Sequence, residues 1–297
     1  MIVKPLKLTK KQRDFYRELD VNLTIKNSAN INSVIEELYP KLKLTKANSR
    51  IAKSYLKVIL LNLYQNYMIN KKLLTGFDQN NNKWKPKSRY NTNQVSKAII
   101  PIKTALYKAG YIDWANGYKS YTPWVESRTA RIRAKLKLIN IIRKHKVESN
   151  QIEKLPNTEC IIVQVKDGKK KTKIEYKETK DIQTKLRAPL IKYNNLLRKT
   201  HIDLNEMPEE GVIFGNADYP VAITDKNKFV RRIFNDAEFA SGGRYYGGWW
   251  QSLSSEWRNK ININGMPTME YDYANNGINI LYCTEGYSPY DGDAYDL

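Results

Sequence analysis

Residues 92–138 read TNQVSKAIIPIKTALYKAGYIDWANGYKSYTPWVESRTARIRAKLKL, and two different periods succeed each other within them. From Val95 the apolar positions Ile99, Ile102 and Leu106 follow at intervals of four, three and four, the spacing of one buried helical stripe. Thr92 or Asn93 offers a cap and Gly110 a stop, while Pro101 inside the run predicts a kink. Ser96, Lys97, Lys103, Thr104 and Lys108 are expected on the remaining, solvated faces. Beyond Gly110 the period becomes two. Residues 111–114 run outward, Asn116-Gly117 offers a turn, and residues 128–134 return. Strand alternation turns Ala130, Ile132 and Ala134 towards a core and sends Arg131, Arg133 and Lys135 to solvent, with Arg128 at the strand's start. A basic hairpin of this kind is how a wing touches a phosphate backbone. With the helical pattern of residues 31–73 upstream, whose apolar positions include Ile51, Tyr55, Val58, Ile59, Leu61 and Leu63, the order helix, helix, basic hairpin predicts a winged helix.

The charge distribution agrees with that reading. The 297 residues carry a formal net charge of +21. Residues 201–297 hold 7 Lys+Arg against 15 Asp+Glu, a net of −8, which leaves +29 on residues 1–200. A surface this positive collects polyanions by releasing their counterions, and the 21 Tyr and 6 Trp add rings on which bases can stack. DNA, or RNA, is therefore the expected partner. No apolar run approaches the roughly 20 residues of a spanning helix, and residues 1–11 lack a signal-peptide core. The expected compartment is the cytoplasm of a bacterium or infected host cell, with no membrane partner. Cys160 and Cys283 stand far apart without a CxxC pattern, which argues against a disulfide framework or a structural zinc site. His145 and His201 have no neighbouring nucleophile of the Ser-His or Cys-His type.

Downstream, residues 160–165 and 173–176 flank Asp167-Gly168 and predict a hairpin, and residues 180–200 predict a helix with Ile182, Leu186, Leu190, Tyr193 and Leu197 on one face. The run Phe229-Val230-Arg231-Arg232-Ile233 leads to a glycine-dense stretch, Gly242-Gly243-Arg244-Tyr245-Tyr246-Gly247-Gly248. Glycines let backbone approach a ligand closely, and Arg231, Arg232 and Arg244 are planar donors suited to phosphate. Residues 268–282 predict a strand bearing Met269 and Tyr271 that delivers Asp272, a turn, and a short helix. The expected class is α+β in three parts: a helical and winged-helix nucleic-acid-binding domain (1–150), a hairpin and helix connector (151–204), and a C-terminal region (205–297).

Two resemblances add to this. The stretch YKAGYID…G…ESRTARIRAKLKL resembles the winged-helix segment at the front of plasmid- and phage-type replication-associated proteins. Asp272-Tyr273-Ala274-Asn275-Asn276-Gly277-Ile278-Asn279 resembles motif A of the phage-type single-subunit RNA polymerases and, at its opening, of family A DNA polymerases; Gly243-Arg244-Tyr245 is similar to the Gly-Arg-aromatic signature that precedes it. That second resemblance implies a partial polymerase palm in which Asp272 and the Tyr273 carbonyl hold Mg²⁺, Arg244 holds template or hybrid, and a nucleoside triphosphate is the substrate. Gly277 stands where the DNA enzymes carry a bulky Glu, so the resemblance implies tolerance of a ribose 2′-hydroxyl. The fingers helix and the His-Asp hairpin of those enzymes have no counterpart here, so the resemblance implies a truncated reading frame, a polymerase split between two chains with a second polymerase subunit as partner, or a palm kept for binding without catalysis. The other expectation is a non-catalytic winged-helix initiator or regulator.

Overall fold

The computed structural model describes residues 5–44, 49–118, 127–168, 170–206, 212–214, 220–222, 228–235, 239, 242–271, 275–288 and 292. In chain order its elements are α1 (Lys10–Asp14), β1 (Tyr16–Glu18), β2 (Leu23–Ile25), α2 (Ala29–Leu38), α3 (Ser49–Ile69), β3 (Leu74–Phe77), α4 (Ile99–Lys108), β4 (Ile112–Ala115), β5 (Ala130–Ala134), α5 (Leu136–Lys144), β6 (Ile152–Lys154), β7 (Ile161–Asp167), β8 (Lys170–Lys173), α6 (Ala188–Lys199), β9 (Ile202–Leu204), β10 (Val212–Phe214), β11 (Pro220–Ala222), β12 (Arg231–Phe234), β13 (Gly242–Tyr246), α7 (Ser255–Arg258), β14 (Ile261–Ile263), β15 (Met266–Pro267) and α8 (Asn276–Thr284). This is a mixture of helix and sheet compatible with the α+β class.

The first core forms around α3, 21 residues long and buried on nearly every side from Tyr55 to Tyr64. Its end at Ile51, expected on the apolar face, is 42% exposed. Helices α2, α4 and α5 and the sheet β1-β3-β5-β4 pack around it. The segment 74–77 is strand β3. It is buried at all four positions, antiparallel to β5 and parallel to β1. Helix α4 begins at Ile99, later than the expected cap at Thr92 or Asn93. Pro101 therefore falls in the first turn, where its missing N–H leaves no intrahelical bond unmade, and the expected kink has no cause. At the other end Gly110 adopts φ +73°, with Gly110 N–H donating to Tyr107 and Tyr111 N–H to Leu106, the double closure that a left-handed residue allows.

The second core is built from residues of both the expected connector and the expected C-terminal region. Strand β7 pairs with β8 in the expected hairpin and also, in parallel, with β12; β9 pairs with β14. Cys160, Ile161, Val163, Leu190, Leu197, Val230, Phe234, Trp249 and Leu253 fill the space between them. Ile182, Leu190 and Leu197 of the expected helical face are buried, but Tyr193 is 41% exposed and Asn194 takes the inner position. There Asn194 donates to the Val230 carbonyl at 2.8 Å and accepts from Val230 N–H at 2.7 Å, locking α6 to β12. Residues 268–271, expected as a strand, have no regular structure, and Met269 and Tyr271 are exposed. Among the described residues no helix is long and apolar enough to cross a membrane.

Candidate functional site

The cations singled out in the hairpin expected to form a wing are mostly occupied at home. Arg131 is buried rather than solvated: the N-terminal segment lies over this face of the sheet, the Tyr16 ring sits 3.4 Å from the guanidinium, and Arg131 Nε donates to the Arg13 carbonyl at 3.1 Å. Arg128 pairs with Asp14, and Arg133 with Asp113 at 2.8 Å. Lys135 lies 3.8 Å from the same Asp113. Ala130, Ile132 and Ala134 face the core as alternation requires. Lys103 is the sharpest correction. Expected on a solvated face, it is 0% exposed, its Nζ 3.4 Å over the Trp114 ring and without a hydrogen bond. Position 103 lies next to Ile102 and three before Leu106, so it belongs to the buried stripe by angle. Burial pushes its ammonium down to about 8. Lys97 and Lys108 remain exposed and make no ion pair among the described residues.

In the C-terminal region Arg244 is exposed on β13, opposite Ile233 of β12. Arg232 turns back on the same hairpin, its Nε donating to the Gly243 carbonyl at 2.7 Å. Gly242, Gly243 and Gly247 have positive φ, and a Cβ on Gly243 would lie 2.8 Å from the Phe234 ring. The glycine density thus serves a tight hairpin. Gly277 is exposed in the first turn of α8, with open space where a Cβ would stand. Asp272 and Tyr273 lie outside the described residues. Among the described residues no three His, Cys, Asp or Glu side chains gather in a way that could hold a metal ion.

Charged groups converge elsewhere. A cleft of about 460 Å³ lies between the two cores, lined by residues 16–22, Tyr90, Lys154, Thr158, Glu159, Ile162, Lys173, Phe229 and Arg231. Its floor is fixed by α3. Asn62 accepts Asp20 N–H at 2.8 Å and donates to the Asp20 carbonyl at 2.9 Å, and Arg17 Nη1 donates to Gln65 and Asn66 at 3.4 and 3.2 Å. Its far wall is tied down by Tyr90, whose hydroxyl donates to the Ile174 carbonyl at 2.7 Å and accepts Val163 N–H at 3.2 Å. Asp20 takes Asn22 N–H at 3.0 Å and an ion pair from Lys154. Burial works against the Asp20 charge, but Lys154 outweighs it and holds the carboxyl below the usual range. Burial lowers Lys154, Arg231 and Arg17, with Asp20 the only carboxylate that offsets it in each case. Lys173 is exposed overall, yet desolvation within the cleft lowers its ammonium, and Arg231 repels it further. Four cations thus share one carboxylate. Arg231 was expected to be a phosphate donor. The other members of the cleft carry no local signature, because they come from five separate segments of the chain.

A scan against protein-family models and searches of curated proteins and of solved structures find nothing that matches this chain.

Proposed function

We propose that the chain binds nucleic acid as a winged-helix-type protein, its N-terminal unit lying along the phosphate backbone. One observation carries the reading: the order α3, β3, α4, β4, β5, with β5 hydrogen-bonded between β3 and β4, and one side of α4 left uncovered. That is the connectivity by which a winged helix backs its reading helix with a three-stranded sheet. Pro101, Thr104 and Lys108 recur at helical spacing on the side opposite Ile99, Ile102 and Leu106, Lys97 stands in the turn just before the helix, and Lys97, Pro101 and Lys108 are exposed. The +29 carried by residues 1–200 supplies the sequence-independent attraction.

The test is fluorescence anisotropy with a labelled duplex across a salt series. Binding in the micromolar range at low salt that weakens steeply as salt rises is expected; affinity indifferent to salt would sink the proposal. The nucleotidyl-transfer reading rests on Asp272 and Tyr273 and on Mg²⁺. It is tested by extension of a primer or transcript with nucleoside triphosphates, with Asp272→Ala as control. Synthesis that disappears in the variant would replace the non-catalytic reading with the polymerase one.

A further inference from the structure

The cleft between the two cores does not include Lys97 or Lys108, and it shares with the duplex-binding reading only the chemistry of its ligand. Two of its three carboxylates already have cationic partners. Glu159 is held by Arg187 at 3.1 Å and by Arg89 at 3.5 Å. Glu18 makes no ion pair among the described residues; desolvation within the cleft pushes its carboxyl up, and the charge of Arg131 offsets only part of that. Asp20 is matched by Lys154. Three positive charges are then left without a carboxylate of their own. Arg17 is held only by the neutral amides of Gln65 and Asn66. Lys173 Nζ sits 5.5 Å from the centre of the Tyr90 ring. The Arg231 guanidinium makes no hydrogen bond among the described residues, so its five N–H donors are unspent. On the same wall the Thr158 hydroxyl is buried and also lacks a partner.

An excess of cations with unspent planar donors fits an anion, and the size of the excess selects its kind. An internal phosphodiester carries one negative charge. A phosphate monoester carries about −1.5 to −2 at neutral pH and offers three acceptor oxygens. A guanidinium can meet two of these side by side, and an ammonium and a hydroxyl can take the third. We propose that this cleft binds a phosphate monoester, with Arg231 and Lys173 as its principal ligands, Arg17 as a second-rank charge, and Asp20 holding Lys154 at the rim. The monoester is either the phosphorylated end of a nucleic-acid strand or a free nucleotide. A volume of about 460 Å³ lies within the usual range for small-ligand sites.

The full chain is titrated with one labelled single-stranded decamer carrying either a 5′-phosphate or a 5′-hydroxyl. Separately, adenosine 5′-monophosphate and inorganic phosphate are followed by ³¹P NMR. The quantity read is the ratio of the two strand affinities, so a general failure of nucleic-acid binding lowers both alike and counts against the winged-helix proposal alone. A preference of about tenfold or more for the phosphorylated strand is expected, together with its loss in Arg231→Met and a marked weakening in Lys173→Met. Unchanged thermal melting in one of the two variants keeps the result interpretable. Competition by adenosine monophosphate assigns the site to free nucleotides; competition by the phosphorylated strand alone assigns it to strand ends. Equal affinity for the two strands with no ³¹P shift, or a preference that survives in both variants, overturns the proposal.

Discussion

Helices α3 and α8 are both rich in apolar residues, yet they have opposite fates. Helix α3 buries ten side chains, because α2, α4, β2, β3 and β5 meet it from different sides. Helix α8 buries none, and Ile280, Leu281, Tyr282 and Tyr287 stay in solvent. The same periodicity stabilises a fold only where other elements arrive to cover it, so an equal change in the two helices should have very unequal costs. Leu60→Ala in α3 removes a fully buried side chain and should lower unfolding free energy by about 3–5 kcal/mol. Leu281→Ala, at 64% exposure, should stay within about 0.5 kcal/mol. Urea denaturation of the two variants measures the contrast. A Leu281→Ala cost as large as that of Leu60→Ala would mean that α8 is covered in solution.

The next effect reverses sign, because the residue at fault is already in the core. Lys103 is charged below about pH 8 in the folded chain, against 10.5 ordinarily. The unfolded chain binds more protons between those values, so stability rises as pH climbs through that window, and the penalty is complete below it. The shift corresponds to at most about 3 kcal/mol, and the Trp114 ring returns part of it. Lys103→Met should therefore stabilise the chain by roughly 1–3 kcal/mol at pH 7, with the advantage shrinking towards pH 10.5. Thermal melts at pH 7 and pH 10 read this directly. A destabilised variant would show that the ammonium finds compensation that its geometry lacks.

A smaller effect is expected at the junction of the cores. Asp20→Asn leaves Lys154, Arg17 and Arg231 facing one another. The Asp20–Lys154 pair is partly open to solvent, so the cost should be about 1–2 kcal/mol. The sign with pH is fixed by the lowered carboxyl. Its contribution is present above the ordinary carboxylate range and is lost as pH falls towards the lower folded value. The wild type should lose stability through that window faster than the variant, as acid-unfolding midpoints would record. Added phosphate should restore part of the variant's loss.

What could be read from the sequence divides along the same line as these predictions. The hairpin of β7 and β8, the stop at Gly110, and the inward set Ala130, Ile132 and Ala134 depend on local period and turn chemistry; the last two stand where expected, and the hairpin forms with its return strand at Lys170–Lys173 rather than at 173–176. Strands β1, β2 and β6 have three residues each, too short to show alternation. Lys103 and Arg131 were expected in water because a cation usually is. Their burial depends on Trp114 and Tyr16, rings delivered by other elements. The cleft was the least legible feature, since Arg17 and Arg231 meet only after both cores have formed. Asp272 and Tyr273, the residues the C-terminal resemblance singles out, fall outside the described residues.

The smallest effect on stability should have a large effect on binding. Lys97 and Lys108 touch no core residue through their charges and make no ion pair among the described residues, so replacing both by Ser should change the melting free energy by less than about 0.5 kcal/mol each. If each ammonium displaces one condensed counterion from a duplex, the slope of log affinity against log salt should fall by about 2. Arg133→Ser supplies the comparison, because its guanidinium is already committed to Asp113. Its loss should change that slope by clearly less than one unit. A duplex salt slope reduced more by Arg133→Ser than by the two lysine changes would move the contact surface from the open side of α4 to the hairpin, and the wing would then be the principal contact.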